Sequence, residues 1–95
     1  MRIAEIIGRV TLSRCHPSLR GAMWKLVTPL NHKGLVGDTS GRGEPFVVYD
    51  DMGASEGHKV GVSEGAEAAA PFSPNEKPID AYAAAILENI EVDAV

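Results

Sequence analysis

The side chains best suited to chemistry are few: one cysteine (Cys15), three histidines (His16, His32, His58), the neighbouring carboxylates Asp50 and Asp51, and the hydroxyls of Ser18 and Ser63. A zinc-like ion needs soft ligands at short fixed spacings such as C-x2-C or H-x3-H, and no pair here meets one. The histidines therefore read as surface residues, and neither a metal nor a cofactor is expected. Cys15 and His16 are adjacent and point to opposite faces of an extended chain, which argues against a nucleophile–base pair. Asp50 and Asp51 diverge for the same reason, whereas hydrolytic carboxylate pairs must converge on one bond; both are expected on a solvated strand end. Neither serine sits in a G-x-S-x-G context. The loop Gly37-Asp38-Thr39-Ser40-Gly41-Arg42-Gly43 could offer backbone N–H groups to a phosphate. It lacks the G-K-[ST] ending and precedes no helix, so it reads as a variable loop. No catalytic residue is expected, and the chain is not read as an enzyme.

The elements that would position these residues are mostly strands. Residues from Ile3 to Leu12 are rich in β-branched types, with Val10 and Leu12 alternating with Arg9, Thr11 and Ser13. Pro17 cannot donate to a ladder and Gly21 can take a positive φ, so Pro17 to Gly21 reads as an exposed connection. A second strand is expected over Ala22 to Leu30, with Trp24, Leu26, Thr28 and Leu30 on one face and Met23, Lys25, Val27 and Pro29 on the other; Pro29 marks an edge at its far end. Asn31 to Pro45 carries four glycines and reads as a long surface loop. Phe46-Val47-Val48-Tyr49 and Lys59-Val60-Gly61-Val62 flank a glycine-punctuated loop and read as a hairpin-like pair. Gly65 to Ala70 is an alanine-rich turn or short helix stopped by Pro71, and Pro71, Pro74 and Pro78 constrain the stretch that follows. The last segment has helical spacing at Ile79, Tyr82 or Ala83, Ile86 and Ile90, and alanine favours a helix. Several short strands with glycine-rich turns imply a small all-β barrel in a single domain spanning residues 1–95.

Three stretches absorb the rest of the signal: His16-Pro17-Ser18-Leu19-Arg20-Gly21, Asp51-Met52-Gly53-Ala54-Ser55-Glu56-Gly57 and Pro78-Ile79-Asp80-Ala81. With the opening Met1 to Val10 and Lys25-Leu26-Val27-Thr28-Pro29-Leu30, their order and spacing resemble the EutN/CcmL family, the pentameric vertex proteins of bacterial microcompartment shells. The resemblance runs from about residue 1 to residue 92. It implies a five-stranded OB-like barrel with one short helix, assembled into a cyclic pentamer, and it makes Ala81 to Leu87 a barrel strand with Ala84, Ile86 and Glu88 on one face. It places Gly53, Ala54, Ser55, Glu56 and Gly57 near the fivefold axis, matches Pro78 and Asp80 to a second signature assigned with them to the subunit interface or pore, and turns His16, Pro17, Leu19, Arg20 and Gly21 toward hexameric shell proteins. The chain departs from the family pattern at Ser55, where a middle glycine is usual, at His58, where an acid is usual, and at Ala66-Glu67-Ala68-Ala69, where Ser-Ser-Ala-Arg is frequent.

Composition bounds the alternatives. Nine basic against thirteen acidic residues give a net charge of -4, the wrong sign for releasing counterions from nucleic acid. Only five residues are aromatic, so the core is expected to be Val, Ile, Leu and Ala, and stacking platforms for single strands are disfavoured. One cysteine precludes an intrachain disulfide, and no apolar run approaches a membrane span, which makes a reducing cytoplasm the expected setting; the resemblance to the vertex family implies a microcompartment shell within it. The competing reading is a small OB-like binding module for nucleic acid or a metabolite, since a barrel alone does not decide function. A small hydrolase using Asp50, Asp51 or His58 would require those groups to converge.

Overall fold

The computed structural model describes residues 1–74 and 77–92. Five strands, β1 (Arg2–Val10), β2 (Met23–Pro29), β3 (Phe46–Asp50), β4 (Lys59–Glu64) and β5 (Ala81–Leu87), close into a barrel in the order β1-β2-β3-β5-β4. Two single-turn helices, α1 (His32–Leu35) and α2 (Ala66–Ala69), and short 3-10 turns fill the connections. The strand expected at the opening stops at Val10, where its pairing with Trp24 ends, and leaves Leu12 exposed. Pro29 lies where expected: β3 pairs with β2 only as far as Val27, so the missing N–H interrupts no ladder on that side.

The core is small and aliphatic. Ala4, Ile6, Val27, Val48, Ala54, Val60, Val62, Ala81 and Ala83 form one buried cluster, with Phe46 packed against it. In β5 the strand prevails over local helix propensity: Ala81 and Ala83 face inward, while Ile86 and Glu88 are exposed. Six residue pairs to β4 supply backbone partners and burial that an isolated helix would lack. Only Tyr49↔Tyr82 joins β3 to β5, in parallel. Over this thin seam lie four of the five aromatic rings: Tyr49 contacts Trp24, Phe72 and Tyr82 with centroids 5.4–6.0 Å away, and Phe72 meets Tyr82 at 5.2 Å. These rings pack on one another, mostly edge to face, and the Lys77 ammonium sits 5.4 Å from the centroids of both Tyr49 and Phe72.

Two expectations are corrected. The residues around Gly53 do not close a hairpin: β4 pairs with β1 and β5, β3 with β2 and β5, and the intervening segment carries the chain from one side of the barrel to the other. Nor is 31–45 simply a surface loop. The Asn31 side chain caps α1 by accepting from the amides of Lys33 and Gly34, and the Asn31 amide donates to the Gly41 carbonyl at 3.0 Å. Gly34 and Gly41 are buried against each other so closely that a Cβ at Gly34 would stand 2.6 Å from the Gly41 oxygen. Glycine is needed at this contact for room, which a reading of glycine as punctuation misses. In the same stretch Asp38 Oδ1 accepts from the Ser40 amide and hydroxyl, holding that carboxyl below its ordinary pKa. The turn thus satisfies amide donors that the phosphate reading would have left open.

Candidate assembly surfaces

The segment from His16 to Gly21 is a capped 3-10 turn. His16 Nδ1 accepts from the Ser18 amide at 3.1 Å and lies 2.8 Å from Ser18 Oγ, which requires the ring proton to reside on Nε2. The amides of Leu19 and Arg20 donate back to the carbonyls of His16 and Pro17, and Gly21 closes the turn at φ +77°. His16, Pro17, Arg20 and Gly21 are exposed, while Ser18 and Leu19 are half-buried. Sequence reasoning did not find the tether of this turn. Lys77 Nζ donates to the Ser18 carbonyl at 2.7 Å and anchors the turn to the aromatic cluster.

The segment from Gly53 to Gly57 is pinned at both ends. Its exit is tied by the Gly57 amide donating to the Ile6 carbonyl and by the Ile6 amide donating to His58, each at 2.9 Å; Ser55 and His58 exchange two further bonds, one through His58 Nδ1. Gly53, Ser55, Glu56 and Gly57 are exposed, yet Ala54 between them is buried. Its entry is held by Asp50, and here the expectation of a solvated carboxylate fails. Asp50 is fully buried and accepts from the amides of Met52 (3.0 Å) and Ala54 (2.8 Å), with Lys25 Nζ 3.3 Å away. Asp51 does remain exposed and points elsewhere, accepting from the Tyr82 hydroxyl at 3.0 Å.

Pro78 and Asp80 do not lie beside that loop along the barrel. Asp80 directly precedes β5, whose first residue Ala81 pairs with Glu64, and its carbonyl accepts from the Gly65 amide. Lys59, two residues beyond Gly57, pairs at the other end of the same ladder with Leu87, about 17 Å away at the usual rise of a strand. Of the proline-rich stretch that precedes Pro78, Asn75 and Glu76 lie outside the described residues. At the Asp80 end of the barrel, Arg2 and Glu64 form a two-pronged ion pair that raises the pKa of the arginine and lowers that of the glutamate, chiefly through the hydrogen bonds. Both are well exposed, so the pair contributes little to stability.

Among the described residues no three of His, Cys, Asp and Glu gather into a metal-sized cluster, and Asp50, Asp51 and His58 do not share a pocket. The Tyr82 phenol is raised above its ordinary pKa, first by desolvation and then by its bond to Asp51. A raised phenol favours its neutral form in the fold, so this contribution to stability is present below the ordinary tyrosine pKa of about 10 and is lost as pH rises beyond it. Absorbance titration at 295 nm should find one tyrosine ionising late. Asp51→Asn should bring it only part of the way back, because burial is the larger cause; a full return would reverse that order.

The Ethanolamine utilisation protein EutN/carboxysome family matches residues 1–88. The chain belongs to the EutN/CcmL family. The carboxysome shell vertex protein CcmL of Synechococcus elongatus is 31% identical over 93 residues, covering 98% of this chain and 89% of that protein. Among solved structures, the GrpN pentameric microcompartment shell protein from Rhodospirillum rubrum is 31% identical with a TM-score of 0.79, covering 99% of this chain and all of that one. Gloeobacter violaceus CcmL is 25% identical with a TM-score of 0.80, covering 98% and 91%. The family role is that of a structural shell protein. It does not favour the alternative of a small binding module for nucleic acid or a metabolite. No helix among the described residues is long and apolar enough to cross a membrane.

Proposed function

We propose that this chain assembles into a cyclic homopentamer that occupies the corners of a polyhedral protein shell, with hexameric shell proteins as its neighbours and neither nucleic acid nor membrane as a partner. The observation that carries the reading is the match over 99% of the chain, at 31% identity, to a pentameric shell protein of the same barrel fold. The physical role is geometric. Sixfold tiles alone make a flat sheet, and fivefold units inserted at corners let it close; a ring of head-to-tail contacts between unlike patches supplies such a unit.

In this ring the loop Gly53 to Gly57 faces the axis, where small residues and two positive-φ glycines allow five copies to crowd together. Pro78 and Asp80 belong to the flank that meets the next protomer. The exposed turn His16, Pro17, Leu19, Arg20 and Gly21 forms the outer rim against hexamers. Each rim contact is small, and closure depends on five acting together, since engaging one edge raises the effective concentration at the next. The test is co-assembly: hexameric shell protein of the same source, alone and with this chain, imaged by electron microscopy. Closed facetted particles should require the chain, and open sheets or tubes in both samples would refute the role.

A further inference from the structure

We propose that Lys25 and Asp50 are positioning residues for the Gly53–Gly57 loop, a buried ion pair whose polar atoms fix the loop's backbone before protomers meet; the proposal rests on the reading of that loop as an assembly element. Both side chains enter the barrel interior from neighbouring strands. Register pairs Met23 with Asp50 and Lys25 with Val48, so the two charges are diagonal neighbours on the inner face of the β2–β3 ladder. They do not close on each other alone. Asp50 Oδ1 accepts from the Met52 amide and Oδ2 from the Ala54 amide, while Lys25 Nζ donates to the Ala54 carbonyl at 2.8 Å. Both backbone groups of Ala54 are thereby held by the pair, and the Ala54 methyl is driven into the core.

Stability alone does not account for a buried ion pair, because well-packed apolar side chains of similar volume commonly serve a core as well or better. What apolar side chains cannot do is hold two N–H groups and a carbonyl of a loop that turns through Gly53 at φ +77° and Gly57 at φ +90°. The exit of the loop is secured by Ile6 and His58, so without Asp50 the entry is the free end. A contact made by five copies of one loop gains from such preorganisation, since each copy would otherwise be ordered during assembly.

The experiment replaces the pair by apolar residues, Lys25→Met together with Asp50→Leu, in the full chain. Amide hydrogen exchange and solution mass are then compared with the native protein. The expected result is a cooperatively folding barrel with Val60 still protected, the Ala54 amide exchanging at least about tenfold faster, and the ring population reduced. Unchanged protection at Ala54 together with an unchanged ring overturns the proposal. If the double variant does not fold, exchange in the native protein decides: the Ala54 amide must exchange as slowly as Val60, and exchange at the rate of a free loop overturns it. The two readings fail separately. A native protein that is monomeric removes the assembly role while leaving the Ala54 readout to decide whether the pair holds the loop.

Discussion

Asp50→Ala should remove about 3–5 kcal/mol of stability, because it strands the Lys25 ammonium in a site where its side chain is only 12% exposed and leaves the Met52 and Ala54 amides without their acceptor. A domain of this size has about 5–15 kcal/mol in all, so the variant should be largely unfolded at moderate urea where the native barrel is intact. The contrast with the double apolar variant is the informative part. If charge pairing were merely a surface decoration, Asp50→Ala would cost under about 1 kcal/mol, as exposed pairs do. Urea titration followed by Trp24 fluorescence separates the two, since Trp24 lies on β2 and its ring contacts Tyr49 on β3.

The second large effect is expected on the turn that links β1 to β2, outside the barrel strands. Arg20 is exposed at the end of the 3-10 turn, and Leu19 is half-buried beside it. Arg20→Glu and Leu19→Asp should leave the melting transition within a few degrees of native and leave the ring intact. Yet capping of hexameric sheets should fail. The reason is multiplicity: if each rim edge loses about 1 kcal/mol, five equivalent edges lose about 5 kcal/mol together, a change of more than a thousandfold in vertex occupancy. Gly21→Arg is the weaker probe, because Gly21 sits at φ +77° and a side chain there adds strain of about 1–2 kcal/mol to any effect on contacts. Dissolution of the isolated ring by Arg20→Glu would place that turn between protomers instead of on the rim.

Much of this architecture was legible because strands announce themselves by a period of two. The stretches Ile3 to Leu12 and Ala22 to Leu30 carry enough of it to mark β1 and β2, although the register of β1 shifts between Ile6 and Gly8 and consecutive Val27 and Thr28 are both buried in β2; at 81–87 the family motif outweighed a helical spacing that the structure does not realise. The partners of β3 and β4 were not legible, since a glycine-rich connection between two β-rich runs has the same local sequence whether it closes a hairpin or crosses a barrel. The contact between Gly34 and Gly41 was hidden for a related reason: glycines needed for space and glycines needed for a turn are the same letter. Asp50 was missed, although a signal existed. Period two puts Asp50 on the face of Val48 and Lys25 on the face of Val27, and an anion and a cation on the apolar faces of two consecutive strands point to a buried pair. The tethers Lys77 to Ser18 and His58 to Ser55 lack even that signal, because each joins a side chain to a backbone atom and leaves no complementary residue type to find.

Everything proposed for assembly depends on the number of copies in the ring. Mass measurement of the purified protein under native conditions, with symmetry read from electron-microscope class averages, tests it directly. The account predicts a closed particle five times the 10.1 kDa chain mass with fivefold averages; a persistent monomer at high concentration, or a ring of any other order, would contradict it.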